Sequence, residues 1–232
     1  MTADSVLHRP YPDQVALLRR SPLAGRAAEL AAGSGDAVRL AELPFLTQVN
    51  LRVDPGSAAA PRIAQALGCP LPSAGTVTGA GERSVLWLGP DEWLVVGPDG
   101  DAGALVTRLT AALAASRDGE RGSVVDVSAD RTTVTVEGPA AQAVLEKGIT
   151  LDLHPRAFSA DRAAATTLAR TLLLLWQTGD APGYRLMVRS SFADYLADWL
   201  LDAAAEFTSG SSGSRRDRCS WYTGRARQRM AT

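Results

Sequence analysis

Residues 124–158, VVDVSADRTTVTVEGPAAQAVLEKGITLDLHPRAF, decide the reading of this 232-residue chain. Val124–Val127 and Thr132–Val136 are β-branched runs on either side of the polar stretch from Ser128 to Arg131, the pattern of a β-hairpin. Gly138 and Pro139 then open a short helix, because proline at a first helical position lacks only an N–H that would have no helical partner anyway. Lys147 and Gly148 close it, and a loop carrying His154, Pro155, Arg156 and Phe158 follows. Nowhere in the stretch does a nucleophile stand beside a base. It reads as a scaffold rather than a reaction centre.

The same signals extend outward. Helices are expected over Ala58–Leu67, ending at Gly68; from Asp101 as N-cap through Leu105, Leu109, Ala112 and Leu113; and after a Ser191 cap, with Phe192, Tyr195, Leu196, Trp199, Leu200 and Ala203 on one stripe. Strands are expected at Thr47–Val53, Val85–Leu88, Glu92–Val96, Leu172–Gln177 and Tyr184–Val188, with Gly/Pro/Asp turns between them. In order this gives βαββαβ and then βαββα, an α+β chain of two ferredoxin-like βαββα subdomains in tandem. Shifting the sequence by 91 residues sets Trp93 on Tyr184, Leu105 on Leu196, Leu109 on Leu200 and Ala112 on Ala203, as a duplication would. The expected division is an N-terminal extension over 1–40, subdomains over 41–128 and 129–207, and a basic tail over 208–232.

Charge and composition exclude several classes. The chain is 46% hydrophobic and 21% charged, as ordinary globular proteins are. Six Arg and one Asp fall in 208–232, so residues 1–207 hold 18 basic against 24 acidic side chains and offer no basic face for nucleic acid. Cys69 and Cys219 form neither a disulfide framework nor a CxxC pair, which suits a cytoplasmic setting. The longest strongly apolar run, Leu172–Trp176, is too short to span a bilayer, and the first 25 residues lack the apolar core of a signal peptide.

Tests for chemistry return little. His8 and His154 have no second His or Cys at i+3 or i+4, so no metal set forms. Gly79 and Gly81 begin a GxG, but Ser84 takes the last glycine's place and a strand follows, so a hairpin turn is expected rather than a phosphate loop. Asp91 and Glu92 are adjacent and point apart, as solvated turn residues do. Ser128, Asp126 and His154 contain the atoms of a triad without the spacing of one. The expected catalytic, cofactor-binding and metal-binding sets are empty. A contact surface is expected at Arg131, His154, Arg156 and Phe158, which mix planar cations, an imidazole and an aromatic ring.

The segments Arg20–Leu23 (RSPL), Leu88–Leu94 (LGPDEWL), the VDVS, R, V and GP positions across 125–139, KG followed by LDLHPRAF over 147–158, and RSSFADYLADWL over 189–200 together resemble the gamma subunits of heterotetrameric sarcosine oxidase. That resemblance implies a fold similar to the N-terminal region of glycine-cleavage aminomethyltransferase. It also implies a non-catalytic, assembly-supporting chain in an enzyme that demethylates sarcosine to glycine, releases hydrogen peroxide and passes the one-carbon unit to tetrahydrofolate. FAD, FMN, NAD and zinc are then expected on the alpha, beta and delta partners, with no cofactor on this chain. Two departures stand out: Ile149 where many relatives carry a cysteine after KG, and Ala169 where glycine is more usual. A stand-alone folate-binding protein of the aminomethyltransferase type is the alternative.

Overall fold

The computed structural model describes residues 18–115, 121–179 and 183–208. His8, Cys219 and residues 209–232 of the basic tail lie outside them. The ten strands are β1 (Arg39–Leu43), β2 (Thr47–Val53), β3 (Val77–Ala80), β4 (Arg83–Gly89), β5 (Glu92–Gly97), β6 (Gly122–Asp126), β7 (Arg131–Glu137), β8 (Ala163–Leu168), β9 (Thr171–Gln177) and β10 (Gly183–Arg189). The helices are α1 (Ala27–Ala32), α2 (Ala59–Leu67), α3 (Ala102–Ala114), α4 (Ala141–Glu146) and α5 (Ala193–Thr208). Two antiparallel sheets result, ordered β1-β7-β10-β9-β8 and β3-β4-β5-β2-β6.

The two orders are the same pattern. β2-α2-β3-β4-β5-α3 corresponds element by element to β7-α4-β8-β9-β10-α5, and β6 stands beside β2 as β1 stands beside β7. The strand that precedes each unit therefore completes the other unit's sheet. This corrects the hairpin expected at 124–136: β6 pairs with β2, from Val49 opposite Asp126 to Val53 opposite Gly122, whereas β7 lies between β1 and β10. Alternation marks a strand but not its neighbour, and here the chain changes sheets at Ser128–Asp130. Backbone bonds fix the change, with Val127 N–H donating to Gln48 O and Ser190 N–H to Asp130 O.

Strand alternation gives each sheet two apolar faces with different partners. Val134, Val136, Leu175, Leu186 and Val188 of the first sheet pack against α1, α4 and α5 through Leu30, Val144, Leu145, Leu196 and Leu200. Val49, Leu51, Val85, Trp93 and Val95 of the second pack against α2 and α3 through Ile63, Leu67, Leu105 and Leu109. The opposite faces meet each other, Leu86, Leu94 and Val96 against Ala163, Leu174, Trp176 and Met187. The body is thus a helix–sheet–sheet–helix sandwich. Within the described residues, no helix is long and apolar enough to cross a membrane.

Several local expectations hold and others shift. Gly68 caps α2 at φ +81°, and Gly81 turns the β3–β4 hairpin at φ +60°. Asp101 stands at the N-cap of α3, but its carboxylate takes Arg83 Nε at 2.5 Å and Nη2 at 2.7 Å instead of a helical N–H, and the guanidinium holds it below the usual carboxylate range. Pro139 lies two residues before α4, because Ala140 N–H is drawn to Ala37 O; the close approach leaves Gly138, at φ +114°, no room for a Cβ. Ser191 caps nothing. A 3-10 turn over Ser190–Phe192 leads into α5, whose buried stripe is Ala193, Leu196, Ala197, Leu200, Ala203 and Ala204, leaving Phe192 44% exposed and Tyr195 and Trp199 at the rim.

The KG element acquires a structural account. Lys147 Nζ reaches Ala203 O and Glu206 at the end of α5, and Gly148 lies against the Trp199 indole where a Cβ would overlap the ring. Ile149 is buried in the same core and bridges to Leu168, so the position that supplies no thiol supplies packing. Ala169 makes the β8–β9 turn at φ +49°, with its N–H on Gly148 O. Glu42 gathers Ser21 Oγ at 2.5 Å, Leu23 N–H at 3.2 Å and Thr132 Oγ1 at 2.5 Å, and so pins the RSPL segment to β1 and β7.

Two outcomes follow from these contacts. Ala169→Gly relieves a left-handed conformation that costs a side chain about 1 kcal/mol, offset in part by the freer unfolded chain, and should stabilise by ~0.5 kcal/mol in urea melts. Glu42→Ala leaves three donors without their acceptor. It should destabilise by about 1–3 kcal/mol and speed amide exchange over residues 19–23 more than elsewhere.

Candidate functional site

The two sheet changes, Leu43 to Thr47 and Asp126 to Arg131, come together at one corner of the sandwich, and the pinned RSPL segment runs beside them. Between them opens a cleft of about 400 Å³, lined among others by Arg19, Arg20, Phe45, Ser128, Arg131 and Ser190. Arg19 is held from two sides, its guanidinium 4.1 Å from the Phe45 ring centroid and 2.9 and 3.0 Å from the Asp99 carboxylate oxygens. Phe45 takes φ +59° to present that ring. Arg131 lies 3.1 Å from Asp130, which also receives Arg189 at 3.0 Å. Gln48, only 1% exposed, donates its side-chain N–H to Arg131 O at 3.0 Å.

The serines of this corner are committed to the backbone. Ser128 Oγ donates to Asp126 at 2.5 Å and accepts from Gln48 N–H at 3.0 Å, while Ser190 Oγ donates to Ala129 O at 3.0 Å. Asp126 and Ser128 therefore meet, as an Asp-Ser turn that anchors the sheet change. His154 belongs to a different turn. Its N–H donates to Asp152 Oδ1 at 2.9 Å and its Nδ1 accepts Arg156 N–H at 3.2 Å.

Of the four contact residues expected from the sequence, the structure sets Arg131 in the cleft and the other three on the 152–158 loop. His154 and Arg156 are exposed, but Phe158 is 5% exposed and packs into the helix-side core with Leu153. Its ring anchors the loop from beneath, and among the described residues Phe192 is the exposed phenylalanine instead. The sequence reading passed over Arg19, Phe45 and Glu42. A charged residue at an alternate position of a short strand, Glu42 in RLAEL, was the available signal.

A second, more open groove of about 490 Å³ lies at the far ends of β2 and β6, among Arg52, Asp54, Asp91 and Arg121. Asp91 and Glu92 serve Arg52 there at 3.4 and 3.5 Å, and Asn50 donates to Glu92 at 2.7 Å. Among the described residues no three of His, Cys, Asp and Glu lie close enough together to hold a metal ion. The Gly79–Gly81 turn joins two strands and presents no helix N-terminus to a phosphate.

Comparison with known proteins places this geometry. Residues 51–206 match the model of the family described as sarcosine oxidase, gamma subunit family. The chain is 47% identical over 195 residues to sarcosine oxidase subunit gamma from an Arthrobacter species, covering 83% of this chain and 93% of that one. It is 44% identical, with the same coverage, to the subunit gamma of Corynebacterium sp. strain P-1. A chain of the heterotetrameric sarcosine oxidase from Corynebacterium sp. U-96, solved with pyrrole 2-carboxylate, superposes with a TM-score of 0.76 at 42% identity, over 84% of this chain and all of that one. Aminomethyltransferase T of the glycine cleavage system from Bartonella henselae shares the fold, at a TM-score of 0.62 and 15% identity over 81% of this chain and 60% of that protein. The chain belongs to the sarcosine oxidase gamma subunit family.

Proposed function

We propose that this chain is the gamma subunit of a heterotetrameric sarcosine oxidase and acts there in assembly and stabilisation, not in the chemistry. The observation that carries the reading is its likeness, over 84% of this chain and all of the other, to a chain of such a heterotetramer. The corner cleft supports the non-catalytic part: Ser128 and Ser190 are bound to Asp126 and the backbone, and Arg19 and Arg131 to Asp99 and Asp130, which suits a rigid frame better than a group that must move a proton. In this reading the alpha, beta and delta partners carry the FAD, FMN, NAD and zinc. The assembly converts sarcosine to glycine and hydrogen peroxide in the cytoplasm, with the one-carbon unit passed to tetrahydrofolate.

For docking we propose the 152–158 loop, with His154 and Arg156 as contacts and Phe158 as the buried post that shapes them, together with Arg131 at the cleft. A surface loop held by an internal Asp turn and a core aromatic keeps its shape before binding, which lowers the entropy lost on association. The test is co-expression of the tagged chain with the three partner genes. A flavin-coloured complex should come with the tag, and His154→Ala with Arg156→Ala should reduce its yield while the isolated chain melts within a few degrees of wild type. A tagged chain that stays colourless and monomeric beside expressed partners, or that binds tetrahydrofolate tightly by itself, would overturn the reading in favour of a stand-alone folate-binding protein.

A further inference from the structure

The face that the first sheet turns toward the second changes character across its width. Over β8, β9 and β10 it is apolar and closed, through Ala163, Leu174, Trp176 and Met187. Over β7 and β1 it carries Thr133, Thr135, Glu137, Arg39 and Ala41, and the strands opposite, β2 and β6, offer Gln48, Asn50, Arg52, Ser123 and Val125 by the same alternation. Arg185 stands at the border, directly opposite Trp176 on one side and Thr135 on the other.

Its guanidinium carbon lies 4.6 Å from the centre of the Trp176 ring. Stacking satisfies the face of a guanidinium and leaves its in-plane N–H donors unused. Among the described residues, the Arg185 side chain has neither a hydrogen bond nor an ion pair. Glu137 adds a favourable field, but it lies 3.9 Å from Arg39, and loss of water still draws the Arg185 pKa below its usual value. Trp176, 5% exposed, keeps an indole N–H with no acceptor; Thr133 Oγ1 and Gln48 Oε1, on residues 1% exposed, also lack partners. The Trp176 N–H is a buried donor without an acceptor, whereas the Arg185 nitrogens still touch solvent; a negatively charged acceptor would satisfy the first and replace water on the second.

One side of the sandwich is open at its edge strands. β3 and β8 close the other through the Thr76–Arg162 bridge and the bonds from Val77 N–H to Asp161 O at 2.9 Å and from Ala163 N–H to Gly75 O at 3.2 Å. β1 and β6 are the free edges, each with a single neighbouring strand among the described residues. Inward positions on this side are open, with Val125 of β6 50% exposed and the side chains of Arg39 of β1 and Arg52 of the neighbouring β2 66% and 51% exposed.

We propose that Arg185 and the Trp176 indole N–H form a receiving site for a carboxylate carried by an extended segment of another subunit, entering the sandwich between β1 and β6. The proposal rests on the subunit reading above. Charge complementarity favours an acidic segment, since Arg185 has no carboxylate partner among the described residues, whereas the arginines at the mouth, Arg39 and Arg52, are already paired with Glu137 and with Asp91 and Glu92. Asp180, which falls between β9 and β10 in the sequence and outside the described residues, is the carboxylate of this chain that the test separates from a partner's.

The test reconstitutes the heterotetramer with wild-type, Arg185→Met or Asp180→Asn chain and measures association by sedimentation. Arg185→Met should weaken association by about tenfold or more, with a loss that shrinks as salt rises, because a charge-assisted bond buried at an interface is removed. The isolated Arg185→Met chain should melt like wild type, and Asp180→Asn should assemble normally. Unchanged association of Arg185→Met would overturn the site. Equal destabilisation of the isolated chain by Arg185→Met and Asp180→Asn would instead reveal an internal ion pair. Formate added to the isolated chain separates the two sources of carboxylate: a saturable change in Trp176 fluorescence, absent in Trp176→Phe and Arg185→Met, would mark a small-molecule site and overturn the assignment to a partner. No response is expected at concentrations where the subunits associate.

Discussion

The reciprocal exchange of β1 and β6 is the constraint on which the rest of the structure depends. Each sheet takes its fifth strand from the segment that leads into the other sheet, so neither has its full complement unless both are formed. The exchange also brings the two sheet changes to one corner, where Gln48, Ser128, Asp130 and Ser190 tie them with backbone bonds. The corner cleft is a consequence of that knotting of contacts. So is the pairing of two inner faces, because strands that pass from one sheet to the other hold them front to front.

The central strands were legible in the sequence, and all seven expected segments are strands. Those missed, β1, β3 and β8, are RLAEL, VTGA and AAATTL, each at the edge of its sheet, where burial asks less of the residues; β3 and β8 meet across that edge only through an isolated bridge and a few backbone bonds. β6 was found at its edge, but its neighbour was misread. Residues 124–136 carry every local mark of a hairpin, and only pairing with Val49–Val53, some seventy residues earlier, shows otherwise. The 91-residue offset did align β5 with β10 and α3 with α5, since those elements repeat in register, while unequal loops spoil the match elsewhere. In α5 the helical period was right and the stripe was rotated by about one position, because large aromatics look like core and small alanines do not.

The candidate sites were less legible, for a related reason. The 152–158 loop announced itself by composition, yet burial decided what its residues do: Phe158 turned inward and His154 and Arg156 outward. Arg185 had a signal that went unread, a cation inside GYRLMVR, where an arginine among apolar strand residues must either reach water or find company. Glu42 has the same character in β1, and there its company is internal, three donors from two distant segments. The two charges differ in their company: Glu42 is held by donors of its own chain, whereas Arg185 has the Trp176 ring and solvent.

A body whose sheets complete one another should behave as one thermodynamic unit, and that property suits a frame on which other subunits are built. Urea unfolding followed separately through Trp93, in the helix-side core of the second sheet, and Trp176, on the inner face of the first, tests this most directly in variants that keep only one of the chain's five tryptophans. Coincident transitions with a common midpoint and slope are the result the reciprocal exchange predicts. A Trp93 transition well separated from that of Trp176 would contradict it, because the two halves would then fold without each other's edge strand.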